Sequence, residues 1–334
     1  MKIKLWILGF TCFILIAFLN VQYKKIEFSN LLNQTIRYKN NEKEITENTR
    51  KRSLSISHWN ESPRNKKTCI YLHGSGVYSE KTVVTDDFKD YWGNIKDFTM
   101  SYCDDHYFVI TNTYDFGWDD SQLQELYCNA TTFGYYQKKM ILTHSMGGLI
   151  LGASFFNHSC KRNKNNIFWM ASQTPLKGSI ASNNLFEICE LQSEETYSHW
   201  FYRMIGEKFG YCNVSNHQPA TAYQSMKTYY HNIQKVGDYA FDSINKIMCG
   251  TNPFGLFSRY SLALEFLNWV SGFQYVNDGM VSINSCMNNK QNLCQSSQHK
   301  NYYCAEMNHA DGTCRNGNSD RYKIYPCSFF KESK

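Results

Sequence analysis

The cysteines of this chain form no Cys-x-x-Cys pair and no zinc-ligand spacing, so they do not read as metal ligands. The chain also lacks a nucleic-acid-binding motif, and its net charge of +6 is diluted over the whole length. The basic run from Lys24 to Arg52 and the cluster Lys161, Arg162 and Lys164 read as solvated surface, with weak attraction to anionic membranes as the alternative. There is no internal repeat and no low-complexity tract. The 334 residues therefore suit one large α/β domain with an inserted lid, or two ordinary domains. A content of 42% hydrophobic and 16% aromatic residues excludes a disordered chain.

Lys2 and Lys4 precede an uncharged apolar run from Leu5 to Leu19. That run is long for a signal-peptide core and slightly short of the about 20 residues that span a bilayer comfortably. No clean small-x-small cleavage site follows it, so an uncleaved signal anchor over residues 1–21 is favoured over a removed signal peptide. In either case the body is expected to be exported. Thirteen cysteines agree with this: setting aside Cys12, which lies in the apolar run, leaves twelve, enough for six disulfides. The late group Cys286, Cys294, Cys304, Cys314 and Cys327 suggests a stapled region around the C-terminal loops. Sequons at Asn33, Asn60, Asn129, Asn157 and Asn213 add modest support.

Residues 22–66 are polar and aperiodic, the pattern of a stalk or arm. From residue 67 to 334, short apolar runs alternate with helical stretches, as in a mostly parallel sheet flanked by helices. Strands are expected at Thr68–Leu72, Tyr107–Thr111, Lys139–Thr143 and Asn166–Ala171, then near Phe273–Val276 and Tyr302–Ala305. Between about 180 and 270 the strand signal gives way to aromatic-rich helical sequence, including Trp200, Phe201, Tyr202, Met204 and Phe209, which reads as an inserted helical cap. Within it, Arg259–Val270 reads as a buried helix.

His144-Ser145-Met146-Gly147-Gly148 lies between an apolar strand and a small-residue helix. A nucleophilic serine needs so sharp a turn, with small neighbours such as Gly147, although Thr143 stands where a glycine is usual. A helix-capping serine is the bland alternative. The turn would leave the Met146 N–H free to bind an oxyanion. His73-Gly74-Ser75-Gly76 follows the first strand of the body, and its Ser75 N–H is the candidate second donor. A nucleophile also needs a base, and the base a carboxylate to orient it. Asp278, in Asn277-Asp278-Gly279, and His309, in Asn308-His309-Ala310-Asp311, follow Ser145 in the chain order this chemistry uses, with His299 as a rival base.

These segments resemble the lipases and esterases of the α/β-hydrolase fold, especially bacterial-type triacylglycerol lipases. Ser172-Gln173-Thr174-Pro175-Leu176-Lys177-Gly178-Ser179 is similar to a further segment of theirs, with Leu176 in place of the usual histidine. The resemblance covers about residues 68–312. It implies ester hydrolysis through an acyl-enzyme, with Ser145 as nucleophile, His309 as base and Asp278 as its orienter. Some of these lipases bind a structural calcium through an aspartate two residues after the catalytic histidine. That spacing falls on Asp311, with Asp238 and Asp242 the nearest upstream acids. No other cofactor is expected. The implied partners are a small-molecule or lipid ester and, through the N-terminal segment, a membrane. The same residues also serve an amide or thioester hydrolase, and a catalytically silent surface-recognition protein remains as the reading from another class.

Overall fold

The structure is a computed structural model that describes residues 67–331 apart from 158–159, 190–202, 205 and 208–209. The N-terminal apolar run, the polar arm, Asn33 and Asn60 lie outside the described residues, as do Trp200, Phe201, Tyr202 and Phe209 of the cap. Among the described residues no helix is long and apolar enough to cross a membrane.

Seven strands form one sheet: β1 (Lys67–Leu72), β2 (Val83–Thr85), β3 (Cys103–Ile110), β4 (Lys139–His144), β5 (Ile167–Ser172), β6 (Lys246–Gly250) and β7 (Tyr302–Ala305). Their spatial order is β2-β3-β1-β4-β5-β6-β7. Only β2 runs antiparallel, paired with the edge of β3. A parallel sheet must be covered on both faces, and its central strands are apolar accordingly: all six residues of β4 are buried. Alternate side chains build two cores. Ile70, Leu72 and Ile141 pack on one face with the helix Met146–Phe156. Tyr71, Phe108, Met140 and Leu142 pack on the other, where the Tyr71 and Phe108 rings stack with centroids 3.9 Å apart. Each such side chain contributes about 1.5–3 kcal/mol of burial free energy. The helix Met146–Phe156 is apolar on every side because the sheet and the helix Ile233–Ser243 enclose it, with Gly152 set close against Ala240. This is the expected α/β-hydrolase architecture.

Three expectations about elements need correction. β6 was not anticipated, since Lys246–Gly250 is only five residues long and lies inside the stretch read as uninterrupted cap. The sequence between 180 and 270 is therefore split by a core strand. Phe273–Val276 forms no strand; it is the loop that follows the helix Ser261–Ser271. That helix buries Ala263, Leu264 and Leu267 but leaves Leu262 44% exposed, so it is buried on one side only.

All twelve cysteines of the body are paired: Cys69–Cys103, Cys128–Cys160, Cys189–Cys212, Cys249–Cys286, Cys294–Cys304 and Cys314–Cys327. Six disulfides are typical of chains folded in an oxidising compartment. The late cysteines do staple the C-terminal loops, but Cys286 reaches back to Cys249 in β6.

The connections also place a crevice. From β1 the chain moves outward to β3, then crosses back to β4 on the other side of β1. The carboxyl ends of β1 and β4 therefore flank a topological switch point, the position where open α/β sheets bind ligands. Gly74 follows β1 there, and Ser145 follows β4.

Candidate active site

Ser145 sits on the sharp turn between β4 and its helix with φ 53° and ψ −131°, a conformation costly for a residue with a side chain. Its N–H donates to the Ser172 carbonyl at the end of β5 (2.9 Å), which helps hold the strained backbone. Small neighbours are required. A Cβ on Gly74 would meet the Ser145 Cβ at 2.6 Å, and one on Gly147 would meet the His73 carbonyl oxygen at 2.5 Å. Thr143, the departure from the usual glycine, is accommodated because its buried hydroxyl accepts a bond from the Trp169 indole N–H (2.9 Å).

His309 Nε2 lies 2.9 Å from Ser145 Oγ, and Nδ1 lies 2.8 Å from Asp278 Oδ2. An ionised carboxylate can only accept, so the ring proton sits on Nδ1 and Nε2 is free to accept the serine hydroxyl proton. Asp278 is 1% exposed, and its other oxygen accepts the N–H groups of Met280 (2.9 Å) and Val281 (2.7 Å). The backbones are tied as well, the His309 N–H donating to the Asp278 carbonyl (2.9 Å). Asp278 reaches this place differently from the expectation. No strand precedes it; the excursion after β6 returns it to the end of that strand, where a Cβ on Gly250 would meet the Asp278 Cβ at 2.7 Å. His299 is exposed in the loop before β7, beside Gln298.

A buried framework that the sequence reading missed holds this group to the loop after β1. The His144 Nε2–H donates to the His309 carbonyl (3.0 Å), so its Nδ1 must accept from the Tyr91 hydroxyl (2.7 Å). That hydroxyl accepts the Gly74 N–H (2.8 Å). Burial, then repulsion by His309 and Arg315, holds His144 well below the usual histidine range and therefore neutral. Gln173, with φ 51°, donates to the Asn308 carbonyl (2.8 Å) beside His309. Sequence gave a signal for His144, which adjoins the serine, and none for Tyr91.

His73 is wholly buried and structural in its contacts. Its Nε2 accepts the Thr111 N–H (3.1 Å), so Nδ1–H donates to the Gly74 carbonyl (2.9 Å). Burial lowers its pKa to about 4. Gly76, with φ 88°, closes this loop by donating to the Thr113 carbonyl (2.9 Å). Among the described residues the N–H groups of Ser75 and Met146 donate to no protein acceptor. Ser75, Ser145 and His309 line one cavity of about 360 Å³, with Tyr211, Tyr223 and Leu264 among its apolar walls.

Asp311 is buried and its oxygens accept N–H bonds from Leu256 and Asn308 (both 2.9 Å) and from the Asn316 amide (2.7 Å). A calcium ion is held by six to eight oxygens, and this carboxylate is faced by nitrogen donors instead. Asp238 is bound to Lys177 (2.6 Å) and Asn288, and Asp242 is paired with Lys290. Among the described residues no group of three or more His, Cys, Asp or Glu side chains is arranged to hold a metal. The donor set around Asp311 therefore does not fit the calcium site that the resemblance implied.

No protein-family model and no curated protein sequence matches the chain. Among solved structures, the mature lipase of Bacillus licheniformis aligns over 76% of this chain and 89% of its own, at 14% identity and a TM-score of 0.44. A phospholipase of Legionella pneumophila aligns over 66% and 45%, at 12% identity and 0.43, and a metagenomic carboxyl esterase over 80% and 74%, at 11% and 0.43. Similarities of this size say nothing about chemistry. The seven-stranded sheet order and the sharp strand-to-helix turn at its switch point make the chain an α/β-hydrolase in fold.

Proposed function

We propose that this chain is a serine hydrolase of carboxylic esters. The observation that supports this most is the single relay from Asp278 through His309 to Ser145 Oγ, with both bonds at 2.9 Å or less and the proton on the nitrogen that leaves the other free to act. In this reading the Ser145 oxygen attacks the ester carbonyl while His309 Nε2 takes its proton. The carbonyl oxygen becomes an oxyanion bound by the N–H groups of Ser75 and Met146. The adduct then collapses: the bond from the acyl carbon to the alkoxide oxygen breaks, protonated His309 gives that oxygen its proton so that it leaves as an alcohol, and the acyl group remains on Ser145. Water, deprotonated by His309, attacks that acyl group; the bond from the acyl carbon to Ser145 Oγ then breaks, His309 returns its proton to Oγ, and the acid is released. Asp278 keeps its charge throughout, and its two backbone N–H bonds fix which oxygen faces the imidazole. The six disulfides support an exported body, whether anchored or released.

The test is hydrolysis of p-nitrophenyl esters of increasing chain length by the oxidised body, comparing wild type with Ser145→Ala. The expected result is turnover by wild type and a loss of at least about 10⁴-fold in the variant, with the same circular dichroism. Equal rates in the two proteins would refute the reading. A folded wild type that hydrolyses no ester, and no amide or thioester, would favour a silent recognition protein.

A further inference from the structure

The candidate cavity contains one guanidinium whose charge the reaction above does not use. Arg315 lines the same cavity as Ser145 and His309. Its Nε–H donates to the Tyr91 carbonyl (3.0 Å) and the Thr313 hydroxyl (2.8 Å), and Nη2 donates to the same Tyr91 carbonyl (2.8 Å). Its carbon centre lies 4.8 Å from the Tyr91 ring centroid and 5.0 Å from that of Tyr260. The preceding residue, Cys314, is bonded to Cys327. The guanidinium is thus oriented before any ligand arrives, and little side-chain entropy remains to be lost on binding.

What it lacks is an anion. Among the described residues no carboxylate lies within ion-pair distance of Arg315. Of its five N–H groups, the Nε–H and one on Nη2 are used, and among the described residues the Nη1 pair and the second Nη2–H have no protein acceptor. Asp90, also on the cavity wall, is exposed, so solvent screens it. A half-buried, unpaired guanidinium beside a nucleophile is costly for folding unless something else uses it. A rigid fork of this kind matches the oxygens of a phosphate or a carboxylate.

We infer that Arg315 makes this site select esters that carry an anionic group, phosphate or carboxylate, near the scissile bond. The inference rests on the ester-hydrolase reading for its chemistry but not for its binding. In it the acyl part occupies the apolar wall of Tyr211, Tyr223, Leu264 and Met280, and the anionic end of the alcohol part meets Arg315.

The test uses three esters of one short acyl chain: the neutral acylglycerol, its phosphate, and the acyl ester of glyceric acid. Wild type, Arg315→Gln and Arg315→Lys are compared in the whole oxidised body. Wild type should prefer at least one anionic ester over the neutral one by about 10- to 100-fold in kcat/KM, the range of one charge-assisted contact. Which of the two is preferred tells phosphate from carboxylate. Arg315→Gln should bring that ratio close to one with the neutral ester changed only a few-fold. Arg315→Lys should restore part of the preference. Equal use of all three esters by wild type would overturn the inference, as would an equal loss on all three in both variants, which would mark Arg315 as a support for Tyr91 alone. In parallel, calorimetry on Ser145→Ala with a non-hydrolysable alkylglycerol phosphate ether, the matching ether of glyceric acid and the neutral ether reads the preference without turnover. Tighter binding of either anionic ether that disappears on Arg315→Gln would uphold the inference even if no ester were hydrolysed. Equal binding of all three ethers, together with ester turnover, would overturn it while leaving the hydrolase reading intact.

Discussion

The two ends of β4, Lys139 and His144, are both polar, both buried and only five positions apart, yet they do different things. At the start of the strand the Lys139 ammonium is held by the carbonyls of Phe133 (2.5 Å) and Gly134 (3.0 Å). On the same edge of the sheet Lys246, at the start of β6, donates to the Phe329 carbonyl (3.1 Å) and lies over the Phe329 ring. These groups satisfy backbone acceptors, and neither lysine lines the cavity at the other end. At the other end, Ser75, Ser145 and Arg315 border a cavity, and among the described residues the Ser75 N–H and three N–H groups of Arg315 donate to no protein acceptor. Burial of polar groups is therefore no sign of function by itself. The sign is a buried polar group whose partners hold it in place and still leave one face open.

The sharpest way to break this comparison is to spoil the open end without altering its shape. In Asp278→Asn the side-chain oxygen stays with the two N–H groups of Met280 and Val281, so the amide NH2 faces His309 Nδ1. The imidazole proton then moves to Nε2, where the serine proton should go. Turnover should fall by about 10⁴-fold with KM little changed, measured by steady-state kinetics. A loss below tenfold would show that the relay does not work as described.

Tyr91→Phe tests the framework behind the open end. It leaves the Gly74 N–H and His144 Nδ1 unpartnered in the interior, which should cost about 1–3 kcal/mol in a denaturant titration. Because it frees both the loop after β1 and the residue next to Ser145, kcat should also drop about tenfold. Loss of stability with kcat unchanged would make Tyr91 a core residue only.

The smallest effect belongs to the closed end. Burial lowers the Lys246 pKa to about 8, so the folded protein binds fewer protons there than the unfolded chain does between about pH 8 and the free-lysine value near 10.4. This lysine's contribution to stability should therefore rise with pH across that window and be lost as pH falls through about 8. Lys246→Met should flatten that rise, stabilise the protein by about 1 kcal/mol at neutral pH, and leave ester turnover within twofold of wild type. Thermal denaturation at pH 7, 8 and 9 measures the first two effects. A fall in turnover would contradict the division between the two ends.

How much of this was legible depended on whether a residue's task was local. Ser145 and Gly147 could be read because a strand, a tight turn and a helix follow one another in the chain. Asp278 and His309 could be read from chain order, even though the strand expected before Asp278 does not exist. β6 was hidden because five residues between a lysine and a glycine carry little periodicity. Tyr91 and Arg315 were hidden for a different reason. Tyr91 meets His144 across 53 positions, and Arg315 meets Tyr91 across 224, distances over which local pattern carries no information. Asp311 shows the converse, since a spacing shared with calcium-binding lipases says nothing about what surrounds the residue. There, nitrogen donors fill the positions that oxygens would need.

The central claim, an activated Ser145, is tested most directly by treating the oxidised body with a fluorophosphonate and locating the adduct by mass spectrometry. The account predicts one phosphonyl group, on the peptide carrying Ser145, with fluoride released and with no adduct in Ser145→Ala or after prior unfolding. A folded wild type that stays unlabelled, or a label on another residue that persists in Ser145→Ala, would contradict it.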